Sequence, residues 1–531
     1  MTSLFNTDNL GKANAKLPFS VDNISFISWM SDLNRENKVE TLKILSKTLT
    51  TLRHEELKPE DRIFFLQKLS ELVEQLSQQL QETYKHSRFP FSEQNFNNLK
   101  LSVSCAAEVA KNYAILCEDK GFVDNNVFTK QQKALVIYNA IQSLARAFLY
   151  QSLLYQKPES GFWNLCFLFY LFAKQNNVLD VELDFHYSCF IGVFKQILLF
   201  ELSNTRQFNT EELFSVFHFL NKVSDRAELL NKVPDKKIRD IPCINLRVDA
   251  PPSLLKEGAK PEDPYQFYIS SLHVIKQSLE LLADKNTLKI CNKQVLLRLI
   301  KTLTMKYQRA SDREATDERL FACIGFDKVK KYVLESKQGK EGVSPGEIRD
   351  LEFGIQEIDT ELGKSHFFRA ERAADLSLLT DSVILEDIKS SDIWGDEKEK
   401  VEHEPKKPVT NTELVDKSST GFRLRLNTLA TKVGDIIAVT MFDTLVVTVV
   451  RRIVKLQGNS LQVGVEVLGD NPEVLHLSDI NNKKVVTAIY LKGDDDMESI
   501  IIGTNDYKNE EYVIFDNKAR FRGKNSSICL Q

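Results

Sequence analysis

Two short clusters carry residue types suited to holding a ligand. The first is Asp416-Lys417-Ser418-Ser419-Thr420-Gly421, directly before the alternating run Phe422-Arg423-Leu424-Arg425-Leu426. A carboxylate accepts hydrogen bonds, a hydroxyl donates and accepts, and a glycine lets the backbone come close to another group. The same Asp-x-Ser-x-x-Gly letters are also good turn chemistry leading into a strand. The second cluster is Arg309-Ala310-Ser311-Asp312-Arg313. Guanidinium groups can fork onto an anion in a bidentate way. Their bland reading is a pair of solvated arginines at a helix end. Arg423, Arg425, Arg451 and Arg452 add positive charge nearby, as an anion surface or as a solvated outer face.

Other patterns fall short of the chemistry their letters suggest. Gly363-Lys364-Ser365 ends like a P-loop, but position 358 is Ile where the first glycine is required. Gly342-Val343-Ser344-Pro345-Gly346 matches a nucleophile elbow by letter, yet polar residues precede it instead of an apolar strand. His186 and Cys189 have metal-ligand spacing without a second pair, and read as core residues. No histidine pairs sensibly with Ser, Cys or a carboxylate. No catalytic residue, metal site or cofactor is expected.

The elements that must position the two clusters come from periodicity. Val39, Leu42, Leu45, Leu49 and Leu52 form one helical stripe, and Leu66, Leu69, Val73, Leu76 and Leu80 another. Phe162–Ala173 and Phe190–Leu202 are apolar almost all round, as helices in the middle of a bundle are. Pro242 to Pro264 holds five prolines and reads as a connector. Two further helices carry Ile269 to Leu282 and Val295 to Leu303, the second running toward Arg309. Lys337–Gly346 reads as a loop, and the charged stretch Ser391–Pro408 as a flexible linker. After Val409 the runs are short, rich in Val and Ile and broken by turn residues, which predicts an antiparallel barrel or sandwich.

Composition bounds the rest. With 531 residues, 42% hydrophobic and 27% charged, the chain is long enough for several globular domains and a sizeable core. A formal net charge of −4 excludes a basic coat for a nucleic-acid polymer. The eight cysteines are scattered singly, which suggests reduced core thiols. No apolar signal region opens the sequence, and no stretch reaches the ~20 apolar residues of a membrane span. A soluble cytoplasmic protein is expected.

The order Asp416-x-Ser418-x-x-Gly421, Val433-Gly434-Asp435-Ile436, Val449-Val450-Arg451 and Val463-Gly464-Val465-Glu466-Val467 resembles the PilZ domain, a small bacterial β-barrel that receives cyclic di-GMP. The resemblance covers roughly Val409 to Leu468. It implies a ligand with two phosphates and two guanines. Asp416 would accept from guanine N–H groups, and Ser418 would bond base or phosphate. Gly421 would allow close approach, and Arg309 and Arg313 would close over the ligand as a mobile arm. Position 313 lies 103 residues before Asp416, so residues ~330–408 would be an insertion that leaves and returns to the barrel. Loop length alone costs little in closure entropy. Arg369 and Arg372 are closer to the barrel but three apart rather than four. The whole layout also looks like long PilZ proteins with a helical N-terminal half.

The expected fold is therefore multidomain α+β. An all-α region covers 1–305, an arginine arm and first barrel strand 306–335, and an insertion 336–408. A PilZ-like antiparallel barrel core follows at 409–470, and a small extra β segment at 471–531. The expected function is a non-catalytic receptor or adaptor that binds cyclic di-GMP and relays this to a protein partner. The alternative is a degenerate PilZ-like scaffold that binds no nucleotide, which the long gap between the motifs favours. A homo-oligomer is compatible with the long helices.

Overall fold

A computed structural model describes residues 16–123, 127–183, 189–231, 241–254, 265–304, 314–338, 410–418, 420–426, 430–441, 444–456, 460–479, 485–492 and 498–502, with short strands at 512–514, 520–521 and 528–530. The chain forms two compact units, residues 1–308 and 309–531. Arg309 and Arg313, His186, and the two motif look-alikes between positions 342 and 365 lie outside the described residues.

Among the described residues the first unit opens with nine α-helices: α1 (Asn23–Asp32), α2 (Lys38–Leu52), α3 (Pro59–Gln81), α4 (Glu93–Glu118), α5 (Lys120–Val123), α6 (Lys130–Leu153), α7 (Phe162–Gln175), α8 (Phe190–Leu202) and α9 (Thr210–Val223). The stripes read from the sequence face inward: Leu42, Leu45, Leu49 and Leu52 of α2 and Leu66, Leu69, Val73, Leu76 and Leu80 of α3 are buried. The N-termini of α1, α2, α4, α6 and α9 are capped by side chains. Thr129 with Gln132, and Asn209 with Glu212, close capping boxes on α6 and α9. The exit of α2 is closed from its neighbour. Arg62 of α3 is buried and donates to the carbonyls of Leu52 at 2.9 Å and Glu55 at 2.6 Å. The Leu52 carbonyl also accepts from the Glu55 amide at 3.3 Å, and a cation at the C-terminal end of a helix is favoured. Burial pushes the Arg62 guanidinium down to about 10, still charged at neutral pH.

The aromatic-rich helices make the centre. Phe148 of α6 meets Phe162 and Trp163 of α7 and Phe200 of α8 at ring distances of 5.1, 5.8 and 5.5 Å. A three-stranded antiparallel sheet follows, β1 (Glu228–Leu230), β2 (Cys243–Asn245) and β3 (Gln266–Ser270), in the order β1-β3-β2. Phe267 of β3 stacks on Tyr170 of α7 at 5.3 Å. The stretch read as a connector thus contains one strand of a sheet. Three residues are too few to show a period of two, and the partner strand lies beyond the prolines. Helices α10 (Leu272–Leu281), α11 (Lys285–Ile290) and α12 (Lys293–Thr304) close the unit. Arg298 of α12 is ion-paired with Glu212 of α9.

The second unit contains β4 (Glu314–Ile324), α13 (Phe326–Gln338), β5 (Thr410–Ser418), β6 (Gly421–Leu426), β7 (Ile436–Met441), β8 (Thr444–Lys455), β9 (Leu461–Asp479), β10 (Val485–Lys492), β11 (Glu498–Ile502), β12 (Tyr512–Ile514), β13 (Arg520–Phe521) and β14 (Ile528–Leu530). The strand order β9-β6-β5-β4-β7-β8 closes on itself because β8 also pairs with β9. The result is a six-stranded antiparallel barrel that follows a helical half in the sequence, the expected fold class. Leu414, Phe422, Leu424, Leu426, Val463 and Val465 are buried, while Arg425 between them is exposed. This alternation fixes the inner and outer faces.

Two features finish the unit. Gly325 has φ +99, which lets β4 turn at once into α13 where a side chain would strain the backbone. Phe326, Val329 and Val333 of α13 then pack with Cys323, Ile436, Ala438, Val447 and Val449 of the barrel wall and with Ile489, Leu491 and Ile501 of β10 and β11. Each such side chain contributes ~1.5–3 kcal/mol when fully buried. Strand β9 runs unbroken through position 470, and its far half pairs with β10, which in turn pairs with β11.

Candidate functional site

The Asp-x-Ser-x-x-Gly run is a hairpin. Ser418 at the end of β5 is in register with Gly421 at the start of β6. The Ser418 hydroxyl donates to the Gly421 carbonyl at 2.8 Å. Gly421 has no room for a side chain, since a Cβ there would collide with the Val465 carbonyl oxygen of β9. The Val467 amide donates to the Thr420 carbonyl at 3.1 Å, so β9 also holds the hairpin tip. The turn reading of these residues is thus satisfied by the barrel itself.

A bulge decides where Asp416 points. Leu414 pairs with Leu424, whereas Asp416 pairs with Arg423, so one extra residue enters β5 between them. Strict alternation from Leu414 would turn Asp416 into the barrel. The bulge turns it out beside Arg423. Arg423 Nε donates to Asp416 Oδ2 at 2.6 Å, and Nη2 reaches the same oxygen. The Asp416 side chain is 4% exposed and that of Arg423 38%. The carboxylate therefore lies beneath a guanidinium, which is the group solvent meets. The Asp416 bond holds the Arg423 guanidinium above its ordinary value.

Two more pairs lie on this face. Arg425 Nη1 donates to Glu413 Oε2 at 2.8 Å, and Arg451 Nε to Glu466 Oε2 at 2.9 Å. Gly464 of β9 is in register with Arg423 on one side and Arg452 on the other. Arg452 is exposed. The outer surface of β5, β6, β9 and β8 thus carries several arginines, with Arg423, Arg425 and Arg451 engaged by Asp416, Glu413 and Glu466. The opposite wall, β4 and β7, is covered by α13.

A family model of the N-terminal domain of the cyclic-di-GMP receptor FimW matches residues 25–235, and one of its middle PilZ domain matches residues 242–473. The chain belongs to this receptor family. No curated protein and no solved structure matches it. The middle-domain match of the FimW family takes in β2, β3 and α10 to α12 as well as the barrel, and ends inside β9.

The structure thus brings Asp416, Ser418 and Gly421 together on one hairpin of the PilZ domain. Arg309 and Arg313 are in the undescribed stretch that leads into β4. Sequence reading missed the partners: Arg423 for Asp416, Glu413 for Arg425, and Glu466 for Arg451. Opposite charges on neighbouring strands were the available signal, but the bulge in β5 and a second one in β8 shift the register. Among the described residues no group of three or more His, Cys, Asp or Glu could hold a metal. Among them, too, no helix is long and apolar enough to cross a membrane.

Proposed function

We propose that this chain is a non-catalytic receptor in the bacterial cytoplasm. It binds cyclic di-GMP on the outer face of the barrel and passes the bound state to a protein partner. Asp416, Ser418 and Gly421 form the fixed side of the site, and Arg309 and Arg313 the side that closes. The single observation that carries this reading is the bulge that turns Asp416 onto an arginine-lined face of a PilZ domain. Charge supports a need for the arm. Three of the fixed arginines already face Asp416, Glu413 and Glu466, so a ligand with two phosphates needs further cations. In this reading residues 336–408 are an insertion in the barrel module and 471–531 its appendage. Only contacts that the arm makes differently with and without the ligand can shift such an equilibrium.

A second reading is a barrel that has lost nucleotide binding, favoured by the burial of Asp416 under Arg423. Calorimetric titration of the full chain with cyclic di-GMP, beside Arg313→Ala and Ser418→Ala, decides between them. Micromolar or tighter binding, lost in both variants, supports the receptor with its arm. Binding lost only in Ser418→Ala removes Arg313 from the site. No binding by folded wild type leaves the second reading.

A further inference from the structure

Glycine within a strand weakens it, and its presence calls for a local cause. Three structural causes are open to Gly464, and none applies. Its φ lies outside the left-handed region, where Gly161, Gly325 and Gly434 are found among the described glycines. A Cβ built on it would meet Arg452 Cβ at 3.5 Å, an ordinary contact. The bulge in this part of the ladder inserts its extra residue on β8, between Val450 and Arg452, and not on β9. The contrast with Gly421 is direct, because there a Cβ would strike the backbone of β9. The barrel therefore needs Gly421, whereas at 464 a side-chain carbon would meet only an ordinary contact.

What lies outside Gly464 supplies a cause. It sits on the outer face of β9, with Arg423 beside it on β6 and Arg452 beside it on β8. Adjacent strands are ~4.8 Å apart, so the two arginines rise from columns about 10 Å apart with bare backbone between them. Guanidinium planes stack on flat rings, and their edges bond the O6 and N7 of guanine. We propose that Gly464 is the floor of a slot between Arg423 and Arg452 in which one guanine of cyclic di-GMP lies against the backbone. Asp416 then acts as a positioning residue, holding the Arg423 wall from behind. The inference rests on the receptor reading above, and it adds residues that the two motifs do not contain.

The test is calorimetric titration of full-length wild type and Gly464→Ala with cyclic di-GMP, with thermal unfolding of both and with Gly464→Val as the larger step. Gly464→Ala is expected to melt at or above the wild-type temperature and to bind about tenfold more weakly, a loss of about 1.4 kcal/mol. Gly464→Val should bind more weakly still. Wild-type affinity in a Gly464→Ala protein of wild-type stability overturns the slot and leaves the receptor reading intact. A Gly464→Ala protein that melts well below wild type shows that the barrel needs this glycine, and also overturns the slot. A folded wild type that binds nothing removes the receptor reading and the slot with it.

Discussion

Replacing Arg423 by Gln tests whether the Asp416 carboxylate depends on its arginine. Asp416 is 4% exposed, and Arg423 holds its Oδ2 through Nε at 2.6 Å and through Nη2. Removing one partner of a buried pair costs about 3–5 kcal/mol, because the other charge is left without compensation. Arg423 is itself 38% exposed, so water can enter where its guanidinium stood, and the cost falls to about 2 kcal/mol. That is about a 30-fold rise in the opening equilibrium of the hairpin. Hydrogen exchange of peptides covering residues 410–426, followed by mass spectrometry of the intact chain, reads this directly. The double variant Asp416→Asn with Arg423→Gln removes the stranded charge and should regain most of the protection. Unchanged exchange in Arg423→Gln, or a double variant as unprotected as the sum of the singles, would refute the argument.

Gly421→Ala should lower the melting temperature of the barrel sharply, at a cost of ~3 kcal/mol or more, since its Cβ meets a backbone carbonyl that cannot move aside. Arg62→Met should destabilise the helical unit by about 2–3 kcal/mol in chemical denaturation, followed by the fluorescence of Trp29 and Trp163, because the Leu52 and Glu55 carbonyls lose a charged donor and Leu52 keeps only the Glu55 amide among the bonds described. Burial raises the folded-state pKa of Glu201 above 4.5, against the opposing pull of Arg206 and Lys157. The folded unit thus holds that proton more tightly than the unfolded chain, and stability falls as pH rises through and above 4.5. Glu201→Gln should accordingly stabilise the unit at pH 7, with the gain vanishing toward pH 4; a gain that does not depend on pH would contradict this.

The helical half was legible because its stripes are long. Phe190–Leu202, apolar almost all round in the sequence, is the buried helix α8, with Phe194, Ile197 and Leu198 in the core. The barrel was legible from alternation in Phe422 to Leu426, where local pattern and final face coincide. What escaped were features set by pairing at a distance. A three-residue strand such as Cys243–Asn245 carries no period, and its meaning comes from Tyr268 and Phe267 across the sheet. The bulge in β5 left no mark in the letters Glu413-Leu414-Val415-Asp416, yet it turns Asp416 toward Arg423 instead of the core. The hairpin motif itself was readable as a motif. Its partner Arg423 was visible only as one of four arginines, and the bare position at Gly464 only as one glycine in a strand.

The pairing of β4 with β5 and β7 has a further consequence, in time rather than in space. Ile324 is made well before Thr410, and before Ile437, with which it is in register. Strand β4 and the apolar face of α13 therefore leave the ribosome with no wall to join. A barrel closed by such distant pairs has high contact order and folds slowly compared with the helical unit made before it. The helical half can be complete while the first strand of the barrel still waits. The apolar side chains Phe326, Val329 and Val333 lack their final neighbours during that interval.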